Sequence, residues 1–371
     1  ESLEVKRARY RDGDHPGVTA TLNTLGQLSQ ETGDLGDAKQ HLEESLRINR
    51  AIHGDTDHPG TAATLHRLGE LKQKTGDLEE AKQHVEESLR MNRVLHGDKD
   101  HPGIAVALHA FGQLSLETGD FKEAKQHLEE SLRMNRALHG DKDHPSVAVA
   151  LHALGELSLE TVDFKDAKQH LEECLRINRA LHGDKDHPSV ALALHALGEL
   201  NLYAEDFKEA KQYLEESLRM NRALHGYKDH PSVAVTLHAL GELSQKTGDL
   251  EDAKLYLKDA LRMRQSLHAS RDHRHVAITL MWLGLLSAKT GDVGLAIHNL
   301  EESLRIRRAL LLHGHRDHPD VAVTLLWLGQ LKQKARDLEE AKQHLVESLR
   351  MNCALNEGKA ALGGVFENEL R

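Results

Sequence analysis

The chain has 371 residues, of which 39% are hydrophobic and only 3% aromatic, and its formal net charge is −11. An acidic balance of this size argues against a surface that holds nucleic-acid phosphates. No apolar run approaches the roughly 18 residues of a membrane span, and the sequence opens without a signal-peptide pattern. Cys174 and Cys353 have no neighbours at metal-ligand spacing, which favours a reducing, cytoplasmic location.

A His-Pro dipeptide recurs along nearly the whole chain and marks an internal repeat. Each step from His15 to His230 is 43 residues, His273-Arg274 follows after 43 more, and His318-Pro319 comes 45 later. Self-similarity at a fixed period of this length predicts a solenoid of stacked units. Eight repeats are expected over residues 15–355, and they start near His15, His58, His101, His144, His187, His230, His273 and His318.

The two ends of the sequence depart from this pattern. Residues 1–14 align with 44–57 at the same offset of 43, which predicts the second helix of a preceding repeat. Such a start is expected of a fragment cut from a longer array, or of an array that has lost its first helix. The pattern ends near Leu355, and residues 356–371 are predicted to be an ordered cap, a linker or a disordered end.

Each repeat carries two helical patterns. In the fourth repeat Ala148, Leu151 and Leu154 recur at three-residue spacing, as one buried helix face requires, after a proline suited to the first turn. A Thr-Gly-Asp break, as at 118–120, then supplies a left-handed helix end and a cap for the second helix. Val162 replaces this glycine in one repeat, and a strain of about 1 kcal/mol is predicted if its φ is positive.

These residues resemble the tetratricopeptide repeat. The longer period and the His-Pro-x-Val-Ala-x-Thr-Leu opening resemble in particular the repeats of kinesin light chains and nephrocystin-like proteins, over residues 1–355. The resemblance implies an all-α, right-handed α-solenoid (superhelix) of about eight helix-turn-helix repeats, whose first helices line a concave groove for peptides or protein segments. In the first repeat the family pattern is carried by Leu22, Leu25, Gly26, Leu28, Gly33, Asp34, Ala38, Ser45 and Leu46.

One position departs from the kinesin-light-chain pattern. The resemblance implies an asparagine just before the Leu-Gly pair of each first helix, where it grips the backbone of the bound peptide. That manner of gripping is not carried over to this chain, and the expectation is of groove binding alone. The position holds Thr24, Arg67, Ala110, Ala153, Ala196, Ala239, Trp282 and Trp327.

A histidine series recurs on the first helices, and most of its members have a glutamate four residues later, on the same helix face. The series is interpreted as a solvated or groove-lining row, as a ladder that hydrogen-bonds a peptide or responds to pH, or as a metal site. A metal site needs three or four converging ligands, and an i,i+4 pair supplies two. The groove candidates of this series and its surroundings are Asn23, His66, Arg67, His109, His152, Glu156, His195, Glu199 and His238.

Trp282 and Trp327 are the only tryptophans, and they lie at equivalent positions of the last two repeats. Met281 and Leu326 precede them, so the predicted groove becomes apolar there. Aromatic anchors are enriched at binding hot spots, which predicts a partner site at these four residues. The alternatives are that the tail around 365–366 covers the tryptophans, or that they pack between helices.

The Gly-Asp-Lys-Asp-His-Pro loops contain an Asp-x-Asp pattern that calcium loops also have. A calcium-binding EF-hand loop needs glycine at its sixth place and glutamate at its twelfth. Counting from Asp141, those places hold Ser146 and His152. Capping and turn formation is therefore the preferred interpretation of these loops, with Asp143 or His144 as the expected cap of the following helix.

The sequence contains no phosphate-binding loop, zinc-protease motif or hydrolase nucleophile motif, and no enzyme activity, cofactor or metal is expected. The first hypothesis is a non-enzymatic cytoplasmic scaffold that binds a protein or peptide segment, without nucleic-acid binding or membrane insertion. The alternative is a structural or regulatory arm of a larger signalling protein. Such an arm packs on its own chain or self-associates through the exposed ends of the solenoid.

Overall fold

The computed structural model describes residues 15–54, 56–97, 99–140, 142–183, 185–226, 228–267, 273–312 and 318–362, without the side chains of 312, 318 and 354–362. The predicted half repeat at 1–14 and the end of the predicted tail lie outside these ranges. Within them the chain forms sixteen α-helices and no strand. The helices are α1 Pro16–Thr32, α2 Leu35–His53, α3 Pro59–Lys74, α4 Leu78–His96, α5 Pro102–Thr118, α6 Phe121–His139, α7 Pro145–Glu160, α8 Phe164–His182, α9 Pro188–Tyr203, α10 Phe207–His225, α11 Pro231–Thr247, α12 Leu250–Leu267, α13 Arg274–Lys289, α14 Val293–Leu312, α15 His318–Lys334 and α16 Leu338–Leu362.

The helices divide into two compact units, here the N-terminal unit (residues 1–184) and the C-terminal unit (185–371). In each unit every odd-numbered helix, or first helix, packs against the even-numbered second helix that follows it. Each second helix then packs against the next first helix of the same unit. Each unit is therefore a stack of helix pairs, which confirms the predicted all-α solenoid.

A histidine immediately before the first helical residue caps seven of the first helices. His101 lies in extended backbone before Pro102, and its Nδ1 accepts a hydrogen bond of 3.1 Å from the amide of Gly103. This bond satisfies one of the amides that a helix start leaves free. The ring also stacks on His96, the last residue of the preceding helix, with the ring centroids 3.4 Å apart. The cap therefore belongs to the histidine of the His-Pro dipeptide rather than to the preceding aspartate.

The turn inside each helix pair needs a residue with positive φ. Gly119 supplies it with a φ of 81°. Val162 takes the same place with a φ of 60°, as predicted, and Glu205 and Arg336 do so at 61° and 65°. A β-branched side chain is poorly suited to this conformation, so the turn at Val162 carries backbone strain.

The glycine of the Leu-Gly pair sets how closely the two helices of a pair approach. A Cβ atom built on Gly155 of α7 would lie 2.5 Å from Cδ2 of Leu171 in α8. Leu171 and Ala167 are fully buried at this contact. The absence of a side chain at Gly155 therefore allows the leucine to pack against the backbone of the first helix.

Candidate protein-binding face

The first helices carry an exposed row of aliphatic residues on the side turned away from their pairing contacts. Val106 and Val149 of the N-terminal unit, and Leu192 and Val323 of the C-terminal unit, are between 43% and 52% exposed. They occupy one repeat position, three residues before the histidine position. We call the surface of each unit that carries this position the first-helix face. It includes Val106, His109, Val149 and His152 in one unit and Leu192, His195, Val323, Leu326 and Trp327 in the other.

Sequence reasoning did not identify this aliphatic row. The buried stripe of each first helix already accounts for its apolar periodicity, so further valines and leucines are easily assigned to the core. The available signal was the recurrence of Val, Val, Leu, Val, Ile and Val at one repeat position outside that stripe.

The predicted histidines lie beside the aliphatic row but are largely enclosed. His66 Nε2 lies 3.5 Å from an oxygen of Glu70, His152 Nδ1 lies 3.6 Å from Glu156, and His195 Nε2 lies 3.3 Å from Glu199. Their side chains keep only 10–16% of their surface exposed. Most of each imidazole is therefore used in packing between helices, and only its edge is open to a ligand.

Burial controls the charge of two of these histidines. It lowers the pKa of His109 to about 4, with smaller contributions from the neighbouring His152 and His66. It also lowers the pKa of His238 to about 3, and the positive charge of Arg264 adds to the effect. These two imidazoles are therefore neutral at pH 7, where they offer hydrogen bonds rather than positive charge.

Asn23 and Arg67 already have partners inside the stack. Asn23 Nδ2 donates a 3.0 Å hydrogen bond to Thr64 Oγ1, and Arg67 Nη1 donates one of 2.6 Å to Gln27 Oε1. Both bonds join α1 to α3. A ligand would therefore have to share or replace these contacts, which sets the two residues apart from the exposed aliphatic row.

An open cleft of about 870 Å³ in the N-terminal unit is lined by the first helices α1, α3 and α5 and by the second helix α4. Its walls combine polar groups with apolar surface, including the exposed Val106. The cleft therefore offers hydrogen-bonding groups beside an apolar strip, as clefts that bind ligands commonly do. Polar lining residues that bear on the prediction are Gln27, Gln30, His66, Arg67, Glu70 and Gln73.

The four apolar candidates of the C-terminal unit fall into two classes. Trp282 packs on a cluster that includes Leu257 and Leu283. Met281 packs on the cluster formed between α14 and α15. Trp327 and Leu326, in contrast, are 39% and 40% exposed. The interpretation as packing residues thus fits Met281 and Trp282, whereas Leu326 and Trp327 present apolar surface on the first-helix face.

Three further observations concern the described residues. Among them, no group of three or more His, Cys, Asp or Glu side chains is placed to hold a metal ion. Burial raises the pKa of the Cys174 thiol to about 12, so this thiol stays protonated at neutral pH. No helix in the described ranges has both the length and the apolar character needed to cross a membrane.

Several solved structures resemble the chain at low sequence identity. BtubC (BKLC) from P. vanneervenii is 23% identical, with 69% of this chain and 95% of that chain covered and a TM-score of 0.53. The Signal Transduction ATPase with Numerous Domains (STAND) protein with a tetratricopeptide repeat sensor from Pyrococcus horikoshii is 13% identical, covers 91% of this chain and 49% of its own, and has a TM-score of 0.60. A putative kinesin light chain with nearly identical TPR-like repeats from Podosopora anserina is 22% identical over 58% of this chain and 100% of its own, with a TM-score of 0.46. The first two show a shared fold.

No curated protein matches the chain. Family models described as tetratricopeptide repeat match residues 60–137 and 146–223. Further tetratricopeptide repeat matches cover 18–60 and 233–275. Together these matches span well over half of the sequence and coincide with its helix pairs. The chain therefore belongs to the tetratricopeptide repeat family.

Proposed function

We propose that the chain is a non-enzymatic scaffold that binds a protein or peptide segment on its first-helix face. The observation that carries this proposal is the aliphatic row at the repeat position of Val149 in the N-terminal unit and Val323 in the C-terminal unit. Apolar residues that recur at one repeat position and are exposed in four repeats favour a binding interface, because single scattered apolar residues would be the ordinary case. Tetratricopeptide repeats in general serve as protein-interaction scaffolds.

The chemistry of the face indicates what kind of segment fits it. Val106 and Val149 offer apolar contacts, while the edges of His66 and His152 and their glutamates offer hydrogen bonds. A segment with apolar side chains on one side and free backbone or polar groups on the other would satisfy both. In the C-terminal unit, Trp327 would serve as an aromatic anchor of the kind that dominates binding energy.

A peptide selection on the whole chain tests this proposal. Peptides enriched from a random displayed library would be titrated by calorimetry against the double variants Val106→Ser/Val149→Ser and Leu326→Ser/Trp327→Ala. Each enriched peptide is expected to lose about 2 kcal/mol, or roughly thirtyfold in affinity, with one of the two variants.

A matched control is available on the second helices. Leu255 of α12 is 59% exposed, so Leu255→Ser removes comparable apolar surface from another side of a helix pair. Peptides that bind both double variants normally but lose affinity for Leu255→Ser would contradict the proposal.

A cytoplasmic location remains a prediction, which imaging of the tagged protein in its native cell would check.

A further inference from the structure

Glutamates lie on the same side of two first helices of the N-terminal unit as the exposed valines. Glu156 and Glu160 follow Val149 in α7 by seven and eleven residues, which places each within about 20° of its direction around the helix. Glu117 has the second of these relations to Val106 in α5. The side chain of Glu156 is 44% exposed, and Glu117 and Glu160 are exposed as well. We call Glu117, Glu156 and Glu160 the acidic strip.

The acidic strip and the aliphatic row run side by side across two neighbouring helices. α5 and α7 contact each other directly. Along each helix the glutamates lie about 10 to 17 Å beyond the valine, at 1.5 Å per residue. An α-helix with its side chains is about 10–12 Å wide. A single helical segment, or an extended segment with long basic side chains, therefore spans from the valines to the glutamates.

The negative charge of this area is not balanced on its own helices. Among the first helices of the N-terminal unit only α3 carries lysine or arginine, and α3 carries the acidic Glu70 as well. His109, which lies between the valine and the glutamate of α5, is neutral at pH 7 because burial lowers its pKa to about 4. The face of α5 and α7 is therefore apolar along one edge and negative along the other.

The fold accepts either sign of charge at the position of Glu117 and Glu160. Gln73 Nε2 donates a 2.7 Å hydrogen bond to Glu117. In the C-terminal unit Lys289, at the same repeat position, donates one of 2.8 Å to the carbonyl of Gln245, the equivalent of Gln73. Packing therefore does not dictate the sign. The C-terminal unit has lysine at this position in three repeats, as Lys246, Lys289 and Lys334.

Local helix chemistry favours lysine at this position rather than glutamate. Glu117 and Glu160 lie in the last turn of α5 and α7. The free carbonyls of a helix end carry partial negative charge, which disfavours a carboxylate and favours a cation there. The stability of the helices thus gives no reason for the two glutamates, whereas a positively charged ligand does.

We propose that the first-helix face of α5 and α7 binds a protein segment that carries lysine or arginine beside a row of apolar side chains. This inference rests on the proposed function and gives the ligand class for the N-terminal unit. The apolar side chains would pack on Val106 and Val149, and the basic groups would lie against the acidic strip. Charge complementarity of this kind speeds association and discriminates against acidic segments.

The test adds a charge-reversal variant, Glu117→Lys/Glu160→Lys, to the peptide selection on the whole chain. The relevant peptides are those that Val106→Ser/Val149→Ser weakens. They are expected to carry a net positive charge and to lose about tenfold in affinity with the charge-reversal variant in about 0.1 M salt. In about 1 M salt the loss should be much smaller, because salt screens exposed charges.

A matched control lies on the second helices. Glu129→Lys/Glu172→Lys changes the net charge by the same amount at two exposed positions of α6 and α8. It is expected to leave the affinity within about twofold of the wild type, since charges farther than a Debye length are screened. The charge-reversal variant should keep the wild-type circular dichroism spectrum, because the chain already has lysine at this repeat position.

The outcomes separate this inference from the proposed function. Peptides that need the two valines but carry no excess of basic residues, or that bind the charge-reversal variant equally well, would overturn the inference alone. So would peptides that depend only on Leu326 and Trp327. A concentration-dependent dimer in light scattering that the charge-reversal variant dissociates would overturn it by assigning the acidic strip to a second copy. Peptides that neither double variant of the first-helix face weakens would overturn the proposed function and this inference together.

Discussion

One buried polar position differs between the N-terminal unit and the last helix pairs of the C-terminal unit. In the N-terminal unit Asn49 donates hydrogen bonds of 3.2 Å to the Gly60 carbonyl and to Thr64 Oγ1. In α14 the equivalent residue is Arg307, which is 2% exposed and lies 2.7 Å from Asp320. Asp320 occupies the place that Gly60 has in the second repeat. Two positions therefore change together when the contact between a second helix and the next first helix, here called a joint, changes from neutral to charged.

The contact between α12 of the sixth repeat and α13 of the seventh carries the charge without the carboxylate. Arg264 of α12 is buried and donates a 2.9 Å hydrogen bond to the His275 carbonyl. In the described ranges no carboxylate pairs with it, and burial lowers its pKa to about 10. His275 stands where the next repeat has Asp320. The same fold thus accommodates three versions of one joint. It holds a neutral asparagine, an arginine with a carboxylate partner, or an arginine that no carboxylate of the described ranges contacts.

The largest expected effect comes from breaking the charged joint. Asp320→Ala leaves the Arg307 guanidinium buried without its carboxylate and is expected to destabilise α14 and α15 by about 2 kcal/mol or more. Asn49→Ala, the matched change in the neutral joint, should cost about 1 kcal/mol. Native-state hydrogen exchange of the flanking helices measures both, because repeat arrays open locally. Equal losses of stability after Asp320→Ala and Asn49→Ala would contradict the expected difference between the charged and the neutral joint.

The next effect is the sensitivity of stability to acid. It is expected in a repeat with the groove histidine His109 and not from the equivalent residues of the last two repeats, Met281 and Leu326. The pKa of His109 is lowered to about 4, so the unfolded chain, with a value near 6.5, binds the proton more readily. Stability from the neutral imidazole is complete above pH 6.5 and is lost as the pH falls towards 4. A loss of about 2 kcal/mol from His109 is expected at pH 5.

His109→Met, which introduces the residue found in α13, should flatten this dependence. Urea unfolding of both proteins at pH 7 and pH 5 checks the prediction. A variant that loses as much stability on acidification as the parent would show that His109 does not contribute to the acid sensitivity.

A smaller effect concerns the turns. Val162 and Gly119 occupy equivalent turns, with φ of 60° and 81°. Val162→Gly is expected to stabilise its helix pair by about 1 kcal/mol through relief of strain, and Gly119→Val should destabilise its pair by a similar amount. Thermal unfolding followed by circular dichroism tests the opposite signs. If Val162→Gly lowers the melting temperature, the strain argument is wrong.

The smallest effect is expected at the exposed ion pairs. Arg93 lies 3.1 Å from Glu130 on the surface of two second helices, and both side chains are at least one-third exposed. Arg93→Ala should cost about 0.5 kcal/mol or less, because solvent screens such a pair. Hydrogen exchange of α4 in this variant would be compared with that of α14 and α15 in Asp320→Ala. The two measurements contrast an exposed arginine with a buried one. If Arg93→Ala cost as much stability as Asp320→Ala, the predicted difference between exposed and buried arginines would be wrong.

The repeat period allowed the fold to be predicted because every helix pair must hide the same apolar stripe. The His-Pro helix starts and the positive φ at Val162 could also be predicted, because each depends on a few neighbouring residues that recur with the repeat. The candidate site was less predictable. The enclosure of His195 and the different exposure of Trp282 and Trp327 depend on side chains from neighbouring repeats, which the period does not specify. The aliphatic row was visible in the sequence but resembled core residues.

Photo-crosslinking of a selected peptide tests the central claim most directly. Benzoylphenylalanine would replace Val149, Val323 or Leu255 in the whole chain, one position at a time. The proposal predicts peptide adducts at Val149 or Val323, on the first-helix face, and none at Leu255. Adducts confined to the Leu255 position, or adducts that are absent from both first-helix positions, would contradict it.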